Sequence, residues 1–139
     1  MPGANGPAAS SQPVTILVVD DEPPLLALVG MMLLRAGYRV LEASAPSEAL
    51  RLSAEHPEPI RLLLTDILMP EMNGFELAEQ LRAVRPEAKV LFMSGYTDQI
   101  LLHNTGRSLG DEPLLRKPFT QYKLITRIAE LLEDRSSAA

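Results

Sequence analysis

Strand-sized apolar runs alternate with amphipathic stretches along nearly the whole chain, which leaves few architectures open. The first run, Val14-Thr-Ile-Leu-Val-Val19, is rich in β-branched residues and is followed at once by Asp20-Asp21-Glu22-Pro23-Pro24. A short continuous run of this kind reads as a strand buried on both faces. A helix is predicted from Pro23 or Pro24, where a missing N–H costs little, with Gly37 beyond its end. Leu25, Leu28, Val29, Met32 and Leu33 form its apolar stripe. Residues 38–43 form a second strand. Ser44 is expected to cap the next helix, with Pro46 in its first turn and Ala49, Leu50 and Leu52 on its buried side.

The pattern continues with a third strand at 60–65, ending at Asp66, and a turn over 69–74. A helix with Leu77, Ala78, Leu81 and Val84 follows and stops at Pro86. The fourth strand is Val90-Leu-Phe-Met93. The fifth is Pro113-Leu-Leu-Arg116, where Pro113 is tolerable only at the start or on an edge. Thr120 caps a final helix running through Asp134. Between the last two strands, a short helix over 98–103 is broken up by Asn104-Thr-Gly106 and Ser108-Leu-Gly110. The expectation is α/β: a doubly wound, five-stranded parallel sheet, roughly (βα)5, joined by right-handed crossovers. Ligands then bind outside the carboxyl ends of the strands. Residues 1–13 read as a flexible leader or linker, 14–134 as one domain and 135–139 as a loose tail.

Composition removes several functions. The chain has no cysteine, which excludes disulfides, thiolate catalysis and cysteine metal sites. His56 and His103 are too few and too far apart for HExxH, and neither GxxxxGK[ST] nor GxGxxG occurs. A net charge of −5 offers no global positive field for nucleic acid or anionic lipid. No apolar run reaches the length of a membrane span.

The predicted sheet would gather Asp20, Asp21, Asp66, Ser94 and Lys117 at one edge. Adjacent carboxylates repel unless a cation compensates, and hard oxygen ligands suit Mg2+. Lys117 adds a compact positive charge and Ser94 a further donor. Together these groups suit a bound anion, phosphoryl above all, with Asp66 as the best-placed nucleophile. Alone, Asp66 reads more readily as a helix cap, Asp20 and Asp21 as acids favoured by a helix dipole, and Ser94 as a turn residue. Their joint occurrence at strand ends favours chemistry. Glu22 is expected to be charge decoration.

Val18-Val-Asp-Asp-Glu22, Leu64-Thr-Asp-Ile-Leu-Met-Pro70, Met72-Asn-Gly74, Met93-Ser-Gly95 and Arg116-Lys-Pro-Phe119 occur in this order along the chain. On these motifs the chain resembles the receiver domain of bacterial response regulators. It is also similar to the C-terminal receivers of hybrid sensor histidine kinases. The resemblance implies a flavodoxin-like fold with strand order 2-1-3-4-5. It makes Asp66 the phosphoacceptor, fed by a phosphohistidine of a histidine kinase or histidine phosphotransfer protein. It assigns Mg2+ to Asp20, Asp21, Asp66 and the backbone carbonyl of Leu68. Lys117 would pair with a phosphoryl oxygen, Ser94 would rotate toward the phosphoryl group, and the Lys117–Pro118 peptide would be cis.

Departures from the family pattern, and the residues at its variable sites, accompany the likeness. Leu114 stands where the family commonly has an aromatic residue, so an aromatic rotation cannot report phosphorylation. Leu68 and Tyr96 offer no carboxylate or amide to orient water, which implies a long-lived phosphoryl group. The irregular stretch 101–112 also departs from the family's usual helix. Cytoplasmic residence, no direct contact with nucleic acid or membrane, and no output domain after the last helix are expected. The segment reads either as a stand-alone regulator or as a receiver cut from a hybrid kinase. A pseudo-receiver would be expected to lose an acid or the lysine. An aspartyl hydrolase of the acid-phosphatase type would carry Asp-x-Asp after its first strand.

Overall fold

The structure, a computed structural model, describes residues 13–95, 98 and 113–133. Strands β1 (Thr15–Val19), β2 (Arg39–Ala43), β3 (Leu62–Asp66), β4 (Lys89–Ser94) and β5 (Leu114–Arg116) form one parallel sheet in the order β2-β1-β3-β4-β5. Helices α1 (Pro23–Arg35), α2 (Pro46–Glu55) and α3 (Gly74–Val84) follow the first three strands, and α4 (Gln121–Glu133) follows β5. This is the doubly wound, flavodoxin-like (βα)5 architecture expected from the sequence. The expected short helix at 98–103 apart from Asp98, the irregular stretch 101–112, the tail 135–139 and all of the leader except Pro13 lie outside the described residues.

The strands are apolar on both faces because both faces are covered. Ile16, Val18, Leu62, Leu64, Leu91 and Met93 pack with Leu26, Val29 and Leu33 of α1 and with Leu124 and Ile128 of α4. The alternate residues Leu17, Val19, Leu63, Val90 and Phe92 pack against Ala49 of α2 and Phe75, Leu77, Ala78 and Leu81 of α3. A period of two thus divides an unbroken apolar run between two cores.

Helix ends follow local chemistry, with one correction. Past the end of α1, Gly37 has a φ of 98°, which suits a residue without a Cβ. There Gly37 N–H donates to Leu34 O and Tyr38 N–H to Leu33 O. α3 starts at a capping box: Asn73 accepts from Glu76 N–H, and the Glu76 side chain accepts from Asn73 N–H. Thr120 Oγ1 accepts the Lys123 N–H at α4, as expected. Ser44, however, does not cap α2. The cap position is Ala45, and both the backbone N–H and the hydroxyl of Ser44 donate to Glu48 instead. β3 begins at Leu62 rather than at 60; Ile60 N–H donates to the Glu87 side chain and not to a neighbouring strand.

Candidate functional site

Parallel register brings the chemistry-bearing residues together. Val19 is level with Thr65, Asp66 with Met93, and Ser94 with Arg116. Asp20 therefore leaves β1 beside Asp66, Ser94 lies one step beyond, and Lys117 follows directly on β5. Ligand atoms of Asp20, Asp21 and Asp66 all lie within 4.8 Å of one another. Lys117 Nζ donates to Asp66 Oδ1 at 2.9 Å and lies 3.5 Å from Asp20 Oδ2. The Lys117–Pro118 peptide bond is cis, as expected.

Asp20 and Asp66 are buried and Asp21 is exposed. Burial pushes the Asp66 carboxyl up to about 7; the hydrogen bond from Lys117 works against this, and the charges of Asp20 and Asp98 add to it. Burial likewise raises Asp20, against the hydrogen bond that Asp20 Oδ1 accepts from Glu22 N–H. For Lys117, burial alone would favour the neutral amine. The bond to Asp66 and the fields of Asp66, Asp20 and Asp98 outweigh it and hold the ammonium above its ordinary value.

The residues present fit a hard divalent cation. Among the described residues, the buried Asp20 Oδ2 accepts no hydrogen bond and has only the Lys117 ammonium at 3.5 Å, an arrangement that a cation would relieve. The donor set is all oxygen, which suits Mg2+ rather than a thiophilic metal.

Ser94 is buried at the end of β4, where its hydroxyl makes one long bond, 3.4 Å, to Gly95 O. Its carbonyl accepts the Lys117 N–H at 2.9 Å, which ties β4 to the residue carrying the positive charge. Leu68, two residues beyond Asp66, packs its side chain on the α2–α3 core. Glu22 is exposed and is not part of the acidic cluster. Leu114 also packs on the α2–α3 core. Tyr96 lies outside the described residues.

Sequence reasoning missed Asp98, which accepts the Gly95 N–H at 2.9 Å and whose charge bears on Asp66 and Lys117. An acid three residues after the strand-end Gly95 was the available signal.

Residues 16–129 match the family described as response regulator receiver domain. The chain belongs to the response regulator receiver domain family. Its Asp20–Asp21–Asp66 cluster has the arrangement typical of the phosphoaccepting, Mg-coordinating triad of these receivers. Among curated relatives, the receiver is 34% identical over 122 residues to sensor kinase CckA of Brucella abortus, spanning 87% of this chain and 13% of that protein. It is 33% identical over 117 residues to the response regulator receiver protein CpdR of the same species, covering 84% of this chain and 95% of CpdR. It spans 52% of a third relative, the probable transcriptional regulatory protein TcrX of Mycobacterium tuberculosis, at 33% identity and with 89% of this chain covered.

Solved structures agree. A response regulator receiver protein from Sinorhizobium medicae superposes with a TM-score of 0.74 at 30% identity, covering 89% of this chain and 98% of that one. The receiver domain of the hybrid histidine kinase CckA superposes with a TM-score of 0.69 at 30% identity, covering 86% and 99%. No helix among the described residues is long and apolar enough to cross a membrane.

Proposed function

We propose that this receiver is a phosphorylation switch in which Asp66 takes a phosphoryl group from a phosphohistidine of a histidine kinase or histidine phosphotransfer protein. The observation that carries the proposal is the contact of Lys117 Nζ with Asp66 Oδ1, 2.9 Å, at the head of the carboxylate cluster. A carboxylate oxygen of Asp66 attacks phosphorus in line, and the new O–P bond forms as the P–N bond breaks. The electron pair of that bond stays on the imidazole nitrogen. Lys117 shifts from the free carboxylate to a phosphoryl oxygen, keeping its charge in use. Ser94 gives up a long bond to Gly95 O and turns its hydroxyl to the phosphoryl group. Asp20, Asp21, Asp66 and the Leu68 carbonyl would hold Mg2+, which supplies positive charge against the phosphoryl oxygens.

The product is an acyl phosphate, later hydrolysed by water, so the domain catalyses its own phosphorylation and dephosphorylation while acting as a switch. The likeness to the CckA receiver supports a histidine kinase or phosphotransfer partner. The net charge of −5 supports an absence of direct nucleic-acid or membrane contact, and cytoplasmic residence follows from the proposed partners. Residues 14–134 constitute the receiver on this proposal.

Intact mass measurement after incubation with acetyl phosphate and Mg2+ tests it. Wild type gains one phosphoryl group, and Asp66→Asn gains none. Addition that persists in Asp66→Asn, or that fails in wild type, removes the assignment.

A further inference from the structure

The loop between β3 and α3 contains a backbone outlier in a residue ill suited to it. Glu71 has a φ of 78°, and Met72 N–H donates to Pro70 O at 3.0 Å across it. That is a three-residue γ-turn of the strained hand, in a side chain with no intrinsic preference for the left-handed region. Strain of this kind persists only where surrounding contacts over-determine it.

The contacts come from α2. Glu71 Oε1 accepts the Ser47 N–H at 3.0 Å, and Oε2 accepts the Ser47 hydroxyl at 3.2 Å, across 24 residues of chain. The cap residue of α2, Ala45, provides no side-chain bond. Glu71 thus supplies from a distance the anionic cap that the helix lacks, at the end where the helix dipole favours it.

The same corner of the chain holds the acidic pair. Asp20 N–H donates to Ala43 O at 3.2 Å, four residues before Ser47. At its far end the β3–α3 loop is closed by Gly74 N–H on Ile67 O, 2.7 Å, and by the Asn73–Glu76 capping box. The 43–47 corner therefore joins the segment bearing Asp20 and Asp21 to the loop bearing Asp66 and Leu68.

We propose that Glu71 is a positioning residue: latched onto Ser47, it sets the spacing between the Asp20–Asp21 pair and the Asp66–Leu68 loop, and so the affinity of the site for a divalent cation. This rests on the cation site of the proposed function. Neither residue touches the reacting atoms, and both side chains are exposed, so substitutions leave the cores intact.

Magnesium binding by calorimetry, paired with the rate of labelling by acetyl phosphate at increasing Mg2+, tests the latch in Glu71→Gln, Ser47→Ala, the double variant, Glu71→Gly and Ser47→Thr. Glu71→Gln and Ser47→Ala each weaken Mg2+ binding about fivefold, the scale of one lost helix cap. They leave the rate at saturating Mg2+ within about twofold of wild type. The double variant loses less than the two single losses combined, because both substitutions act on the same pair. Glu71→Gly, which relieves the backbone but cuts the latch, binds as weakly as Glu71→Gln, while Ser47→Thr binds like wild type.

Wild-type affinity in Glu71→Gly overturns the latch, as do additive losses in the double variant. A loss confined to the saturating rate overturns it too. In each of these cases the wild type still binds Mg2+ and labels Asp66, so the switch assignment survives. A wild type that binds no Mg2+ overturns both.

Discussion

Electrostatic tension at the acidic cluster is centred on Asp66. Its carboxyl, pushed up to about 7 chiefly by burial, holds a proton in the folded chain that an unfolded chain would release above its ordinary value of 3.8. Folded protein thus binds more protons than unfolded between those values, and stability falls as pH rises through that window. Asp20, also raised by burial, acts in the same direction. In the absence of divalent cations, wild type is expected to show a higher urea midpoint relative to Asp66→Asn at pH 5 than at pH 8. Equal differences at the two pH values would mean that Asp66 does not titrate in this window. Lys117 moderates the tension by direct contact but does not remove it, which is why a further cation suits the pocket.

Among the elements, the β3–α3 junction and the α2–α3 corner do different work. A Cβ on Gly74 would lie 2.3 Å from the backbone oxygen of Asp66, so any side chain there displaces the proposed phosphoacceptor. At the other end of α3, Arg85 donates to Ser53 O at 2.8 and 3.1 Å, to Glu58 O at 3.0 Å and to His56 O, joining the end of α2 to the approach to β3. Its side chain is largely buried. Gly74→Ala and Arg85→Ala are each expected to lower unfolding free energy by about 2 kcal/mol in urea titration, the first by overpacking and the second by orphaning buried carbonyls. Only Gly74→Ala should also weaken Mg2+ binding. An equal effect of Arg85→Ala on Mg2+ would show that the two ends of α3 are not independent.

At the level of the whole molecule, the sheet is a device for bringing distant residues to one edge, and a cation held there would couple that edge to global stability. A cation that binds only folded protein stabilises it by about 2.7 kcal/mol at one hundred times its dissociation constant. Thermal melts of wild type with and without saturating Mg2+ should therefore separate clearly, and those of Asp21→Asn much less. Ca2+ at equal concentration distinguishes a site with a preferred geometry from simple charge neutralisation. Identical melts of wild type with and without Mg2+ would exclude a cation at this edge.

Much of this was legible in the chain. Short unbroken apolar runs between amphipathic stretches specify a parallel sheet covered on both faces, because only crossovers place helices over both. Once that sheet is drawn, Asp20, Asp66, Ser94 and Lys117 must share its carboxyl edge. The family motifs made that site specific. The register decided that Asp66 and Lys117 touch and that Asp20 Oδ2 has no hydrogen-bond donor.

Other features had no signal along the chain. Ser44 looked like the cap of α2, yet the helix takes its anionic cap from Glu71, because a cap needs only an oxygen at the right place in space. Periodicity and strand-end chemistry are local and survive in one dimension. The partners of Ser47 and Asp20 depend on which chain segments meet, and only the folded packing decides that.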